Sequence, residues 1–257
     1  MIGYRIWIIA KNCFKEVIRD RLPYFLVFFA LLLGMGMRLL PYLSANTQDK
    51  MFLDLGMALI SIFAALIAIL VGTNLINKEI EKKTILVLIP KPVSRLEFIV
   101  GKHAGLSALM ALMVAAMTVI FFIFLWFAKI SFPIGALVVS ILYLIIEVKL
   151  LIALSMAFGV FTSSLLATLF SLGVYLMGHI SRDLVDLARI SDNPGVKLIT
   201  ESLYLVLPDL ARLDLKNEAV YGILPTLGEL IGNAIYGGIY GVALLAIAVL
   251  LFSRRQF

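Results

Sequence analysis

Few side chains in this sequence are of types that perform chemistry, and they do not form a catalytic group. Cys13 is the only cysteine, and His103 and His179 are the only histidines. One cysteine cannot form an internal disulfide or the thiolate clusters that hold zinc. No nucleophile stands beside a base, and no two carboxylates are paired, as covalent or acid–base catalysis requires. We therefore expect no enzymatic activity, metal or cofactor in this chain itself.

The dipeptide Gly101-Lys102 is similar to the end of a phosphate-binding loop but lacks the rest of it. That loop needs a glycine five residues before its second glycine and a serine or threonine after the lysine. Leu96 and His103 stand at those positions. ATP with its magnesium ion would therefore have to be bound by a separate chain.

Two charges, Glu147 and Lys149, interrupt a long apolar run. Burying each in a bilayer costs at least about 2.5 kcal/mol. They are two residues apart, so on a helix they point in different directions and cannot pair with each other. Each needs a partner on another helix or a watery cavity. The sequence leaves two explanations open: an interhelical salt bridge, for instance with a second subunit, or a position along a translocation path.

The elements that would hold these residues are membrane helices. The chain is 62% hydrophobic and only 15% charged, whereas soluble domains have about 25% charged residues. A spanning helix needs about 20 mainly apolar residues. We predict an all-α membrane protein, one transmembrane domain over residues 1–257, with six spans near residues 22–43, 53–76, 98–128, 132–162, 165–180 and 229–252.

The basic residues predict the orientation of these spans. They concentrate before the first span, between the second and third, and after the last, so both termini and the 77–102 insert are expected in the cytoplasm. The formal charge of +6 is explained in this way and does not indicate nucleic-acid binding. On the same topology His103 is cytoplasmic and His179 lies near the outer face, and we expect both to pack at the interfaces.

Three segments outside the spans carry their own patterns. Residues 1–21 have an apolar stripe opposite basic residues, which predicts an interfacial helix, with a frayed basic tail as the alternative. Residues 182–228 contain a turn at Asp192–Gly195 and then apolar residues at helical spacing, which predicts an amphipathic helix at the outer face.

The third segment is the polar insert, residues 77–97. Its first part is compatible with a helix through Ile89 that carries an apolar run, and Pro90 and Pro92 would end it. Ser94-Arg95-Leu96-Glu97 then matches a capping box, which would start the third span afresh. A connector needs no apolar run in the cytoplasm, so this helix is expected to contact a partner surface.

The stretch EIEKKTILVLIPKPVSRLEFIVGK, residues 79–102, resembles the signature of ABC-2 type permeases, the membrane subunits of one class of ABC exporters. The style is closest to permeases assigned to multi-copper enzyme maturation, and the likeness extends over the whole chain. The resemblance implies that the segment after the second span couples to an ABC ATPase. The positions that match the signature are Glu79, Glu81, Thr84, Pro92, Val93, Ser94, Arg95, Gly101 and Lys102. With Leu86 and Leu88, which come from the apolar run, we expect the ATPase-coupling residues to be Glu79, Glu81, Thr84, Leu86, Leu88, Pro92, Ser94 and Arg95.

The resemblance also implies an assembly in a bacterial-type cytoplasmic membrane. Two permease copies, or one copy and a paralogue, would pair with two ATPase subunits that bind ATP and magnesium, and the dimer would export a substrate. Glu147 and Lys149 are then candidates for the translocation path. The alternative is a secondary transporter or a membrane scaffold that works without an ATPase, and a protein of that kind has no evident use for the 77–102 insert.

Overall fold

The computed structural model describes residues 2–19, 22–43, 48–81, 94–181, 183, 186 and 194–254. The secondary structure of these residues is helical, with no strand. In chain order the helices are α1 (Ile2–Ile18), α2 (Leu22–Leu43), α3 (Gln48–Glu81), α4 (Arg95–Ala128), α5 (Ile134–Phe161), α6 (Ser164–His179), α7 (Pro194–Val206), a 3₁₀ turn (Leu210–Arg212), α8 (Lys216–Tyr221) and α9 (Leu227–Arg254).

The helix lengths agree with an all-α membrane protein. Within the described ranges, α2, α3, α4, α5 and α9 are long and apolar enough to cross a membrane. The sixth predicted span corresponds to α6, which is apolar but has only 16 residues. Its crossing stays a prediction. Helix α3 has 34 residues and continues without a break past the expected boundary at Ile76 to Glu81.

Helix α5 lies at the centre of the bundle, in contact with α3, α4, α6, α8 and α9. Its side chains are buried along most of its length, including Leu144, Val148 and Ile152. Close approach to α3 is possible because the contact positions are small. A Cβ atom at Gly159 would lie 3.1 Å from the Thr73 carbonyl oxygen. Small residues at such contacts are typical of helices that pack in membranes.

Helix α1 packs along the first turns of α4. The apolar stripe expected on α1 is present, but it faces α4: Cys13 and Val17 are buried in the core. A Cβ atom at Gly101 would lie 2.8 Å from the side chain of Ile9, so this glycine permits the contact. Tyr4 and Trp7 lie on the exposed side of α1, 72% and 67% exposed. The stripe therefore packs against α4, and the position of α1 in the membrane interface stays a prediction.

Residues 208–221, between α7 and α9, are folded onto the bundle. The predicted amphipathic helix exists as α7, and Leu205 and Val206 are exposed on it. The 3₁₀ turn contacts α6, and α8 contacts α3 and α5. The apolar side chains of these two elements and of the residues between them are buried; they are Leu210, Leu213, Leu215, Ala219 and Val220. We call residues 208–221 the docked segment.

Candidate functional site

The residues predicted to couple to an ATPase fall on both sides of a gap in the described chain. Thr84, Leu86, Leu88 and Pro92 lie outside the described residues. Glu79 and Glu81 are in the last turn of α3, although the placement of the Glu81 side chain is not described. Ser94 and Arg95 open α4.

The predicted capping box at the start of α4 is confirmed. The Ser94 hydroxyl accepts a hydrogen bond from the Glu97 backbone N–H at 3.1 Å, and Glu97 Oε2 accepts one from the Ser94 N–H at 2.7 Å. Each bond satisfies a donor that the first helical turn leaves free. Glu97 is 2% exposed, and Arg5 of α1 lies 3.9 Å from it. The cap therefore also binds α1 to the start of α4.

Arg95 connects the same corner to the far end of the chain. Its guanidinium donates hydrogen bonds of 2.7 and 2.6 Å to the carbonyl oxygens of Phe252 and Ser253. These carbonyls belong to the last turn of α9, where backbone acceptors have no partner within the helix. The Phe98 and Phe252 rings stack with their centroids 5.6 Å apart. The start of α4 thus holds the end of α9.

Lys102 lies about two turns after Arg95 on α4 and joins three helices. Its ammonium donates to Glu79 Oε1 of α3 at 2.7 Å and lies 3.5 Å from Glu16 Oε2 of α1. The Lys102 side chain is only 9% exposed, so the two carboxylates compensate a charge that is largely removed from water. We call Glu16, Glu79 and Lys102 the corner cluster.

The native thiol lies beside this cluster. Cys13 is 1% exposed, and its Sγ lies 3.6 Å from the Lys102 carbonyl oxygen. Burial raises the pKa of Cys13 to about 11, although the Lys102 charge acts in the opposite direction. A protonated, buried thiol is inert, so Cys13 is a packing residue of the α1–α4 contact.

Glu147 lies in a second polar group, far from the corner cluster. It is 1% exposed, and its Oε1 lies 3.4 Å from His179 Nε2. Asp214 Oδ2 lies 3.7 Å from the same nitrogen and 3.0 Å from Lys216 Nζ. Lys216 also donates to the Ser61 hydroxyl of α3 at 3.2 Å. We call Glu147, His179, Asp214 and Lys216 the buried cluster.

Lys149 does not belong to the buried cluster. Its side chain is exposed, and its backbone carbonyl oxygen lies 3.0 Å from His103 Nε2. Glu147 and Lys149 therefore point to different surroundings, as their spacing predicts. Glu147 has its nearest partner on another helix of the same chain. From the sequence, a second subunit was one possible source of that partner.

Helix α6 supplies a polar face that leads to this cluster. Its polar residues recur at helical spacing on one side; they are Ser164, Thr168, Ser171, Tyr175 and His179. Helix α3 provides partners: Asn74 accepts from Ser164 at 2.6 Å, Thr73 bonds Thr168 at 3.0 Å, and Ser61 bonds Tyr175. We call these contacts between α3 and α6, which lead to the buried cluster, the polar seam. Among the described residues, the buried Ser171 hydroxyl within this seam has no hydrogen-bond partner.

Two sets of contacts were not predicted from the sequence, although the sequence contains an indication of each. His179 was expected to pack at an interface, but it faces Glu147. The two lie at nearly equal distances from the short link Thr162–Ser163, so an antiparallel α5–α6 hairpin brings them together. Glu16 was not singled out. It falls on α1 one turn from Cys13, and the α1–α4 packing brings it to Lys102.

The docked segment has a polar anchor of its own. The buried Asp209 carboxylate accepts hydrogen bonds from the Ser181 hydroxyl and from Arg212 Nε, both at 2.9 Å. These interactions, with a further bond from Arg212 to Tyr204, raise the pKa of Arg212 above its usual value. Among the described residues, no group of three or more His, Cys, Asp and Glu side chains is arranged to hold a metal ion.

Comparison with known proteins gives one family. The family model described as ABC-2 family transporter protein matches residues 7–257, which is nearly the whole chain. No curated protein matches it.

Proposed function

The chain belongs to the ABC-2 family of transporter proteins, and we propose that it is the permease subunit of an exporter in which separate ATPase subunits supply the energy. The family comprises membrane components that are not themselves catalytic. ATP and magnesium would be bound by the ATPase chains. Two permease subunits, identical or paralogous, would assemble with two ATPases in a cytoplasmic-type membrane, with both termini on the cytoplasmic side.

The ATPase would dock on residues 77–97. The observation that carries this proposal is the corner cluster, which ties the two borders of that segment into the bundle. Glu79 precedes the apolar run and Lys102 follows it, and they are bonded to each other at 2.7 Å. The run itself contains Leu86 and Leu88. A force applied there would reach α1 through Glu16, and α9 through Arg95.

Helix α3 provides a route from the docking site into the membrane. It is a single helix that carries Glu79 at one end and Ser61 nearer its middle. At 1.5 Å per residue these positions are about 27 Å apart. Ser61 is bonded to Lys216 of the buried cluster. A rigid displacement of α3 would therefore change both clusters together, which is what coupling between ATP hydrolysis and transport requires.

Glu147 and Lys149 are kept as candidates for the translocation path. Glu147 suits that role better, because it stands at the end of the polar seam between α3 and α6. Polar and ionisable residues inside membrane bundles commonly mark the routes of ions and substrates. Lys149 has an exposed side chain on another face of α5, where it could line the path only together with a second subunit.

The docking proposal is tested by placing a charge in the apolar run. We expect Leu86→Asp and Leu88→Asp to leave the permease folded in the membrane and to remove its ATPase, because a carboxylate would be desolvated at the contact. Ile223→Asp is the matched control, since Ile223 is an exposed aliphatic residue, 70% exposed, next to the docked segment. The measurement is co-purification of the ATPase and its hydrolysis rate. Normal yield of the complex with both leucine variants would contradict the proposal.

A further inference from the structure

The orientation of the His179 ring determines which of its nitrogens carries hydrogen. Its Nδ1 lies 3.0 Å from the Tyr175 carbonyl oxygen. A carbonyl oxygen only accepts hydrogen bonds, so Nδ1 must be the donor. In neutral histidine the other nitrogen, Nε2, then presents a lone pair. The groups that Nε2 faces therefore decide whether a neutral ring is stable at this position.

That nitrogen points at two carboxylates. Glu147 Oε1 lies 3.4 Å from it, and Asp214 Oδ2 lies 3.7 Å from it. Asp214 is compensated by Lys216 at 3.0 Å. Among the described residues, the buried Glu147 Oε1 and His179 Nε2 have no hydrogen-bond partner. Without a proton between them, a lone pair would face an ionised carboxylate in a water-poor interior, which is strongly unfavourable.

We propose that Glu147 and His179 together bind one proton, shared between Glu147 Oε1 and His179 Nε2, and that this proton holds the docked segment against the helices. The proton has two equivalent descriptions. Either His179 is an imidazolium that donates to a carboxylate, or Glu147 is a carboxylic acid that donates to Nε2. Both replace the repulsion with a hydrogen bond.

The groups around the pair explain why the docked segment responds to this proton. The titratable and charged groups that face it are Tyr175 of α6, and Asp214 and Lys216 of the docked segment. Helix α3 contributes the Ser61 hydroxyl, which receives a hydrogen bond from Lys216. Loss of the proton adds one negative charge directly beside Asp214. In either description the charge around the pair becomes more negative by one, which repels the Asp214 carboxylate and releases the segment.

Because the chain has two histidines, ¹⁵N-histidine labelling of the full-length protein in lipid nanodiscs gives an NMR spectrum of two rings. His103→Gln assigns the signals. We expect the His179 ring at pH 7 to show a protonated Nδ1 and an Nε2 that is protonated or accepts a strong hydrogen bond. Glu147→Leu, which removes the shared group, should move the Nε2 signal to that of a bare nitrogen. A bare Nε2 in the unmodified protein overturns the proposal, whether or not Glu147→Leu folds.

Release of the segment is measured by thiol labelling. In a Cys13→Ala background, Ala219→Cys places a thiol at a position of 0% exposure, and Asn217→Cys, on the exposed side of α8, corrects for the pH dependence of the reagent. We expect the labelling rate of Ala219→Cys, divided by that of Asn217→Cys, to rise with pH once the pH exceeds the value at which the shared proton is lost. The rise should be about tenfold per pH unit, as for loss of one proton. Glu147→Gln, whose amide can donate permanently to Nε2, should give a ratio that does not change with pH. A ratio independent of pH in the protein with Glu147 intact, or an equal pH dependence in the Glu147→Gln variant, overturns the role of the proton in docking.

Discussion

Removal of the Lys102 ammonium should detach α1 from α4, and the native thiol reports the detachment. In Lys102→Met the apolar stem is kept and the charge is lost. The charge that is lost lies 2.7 Å from Glu79 of α3 and 3.5 Å from Glu16 of α1. Of these two pairs only the one with Glu16 joins α4 to α1, and an exposed pair of this kind contributes at most about 1 kcal/mol.

This loss of stability appears as more frequent local opening, in which α1 separates from α4. The pKa of Cys13 is raised to about 11 by burial, so at pH 7 only about one closed molecule in 10⁴ carries the reactive thiolate. Labelling therefore proceeds through molecules in which α1 has left α4. Since about 1.4 kcal/mol corresponds to a factor of ten, a loss of about 1 kcal/mol should accelerate Cys13 labelling up to about fivefold. The Lys102 charge lowers the thiol pKa, so its loss alone would slow labelling.

Two control variants test whether loss of the Lys102 charge is the cause of faster Cys13 labelling. Lys11→Met changes an exposed lysine on the same helix and should leave the labelling rate unchanged. Glu16→Gln removes the carboxylate that is 64% exposed and 3.5 Å from Lys102; an exposed pair contributes at most about 1 kcal/mol, so we expect less than a fivefold increase. Equal labelling rates for the Lys102 and Lys11 variants would refute the assignment of Lys102 as the link between α1, α3 and α4.

Three further predictions concern the cap, the docked segment and the orientation. Ser94→Ala should cost about 0.5–2 kcal/mol and reduce hydrogen-exchange protection in the first turn of α4, whereas Ser163→Ala, at an N-cap without a side-chain bond, should not affect α6; equal losses would count against the cap. Asp209→Asn removes a buried charge that accepts two side-chain hydrogen bonds. Hydrogen bonds to charged groups contribute roughly 1.5–3 kcal/mol, so hydrogen exchange in the 3₁₀ turn should accelerate by about 10- to 150-fold; unchanged protection would mean that the apolar anchors suffice. Cysteines at Lys83 and Asn217 should label from opposite sides of the membrane, and labelling from one side would exclude the predicted topology.

Several features of this protein follow from local sequence alone. The apolar runs predicted an all-α membrane protein, because a helix is the simplest way to satisfy backbone groups in lipid. The capping box at Ser94 and Glu97 was predicted to atomic detail, because its two bonds join residues three apart. The spacing of Glu147 and Lys149 predicted that they point to different surroundings. Each of these properties depends on residues within a few turns of one another.

Other features required the packed bundle. The apolar stripe of α1 has a periodicity that suits a face toward lipid and a face toward protein equally. The structure shows that it faces α4, where Gly101 and Gly105 permit the contact. The partners of Lys102 could not be identified from the sequence, because Glu16 and Glu79 belong to two other helices. Such contacts depend on how helices pack, which is a property of distant residues.

The environment of Glu147 shows the same division most clearly. Its position inside an apolar run could be identified from the sequence, and the need for a partner followed from the cost of burying a charge. The partner itself is His179, brought close by the α5–α6 hairpin, with Asp214 and Lys216 delivered by the docked segment. The sequence by itself determined that a compensating group must exist. The tertiary structure decided which one, because only the folded chain places a third segment over the end of α6.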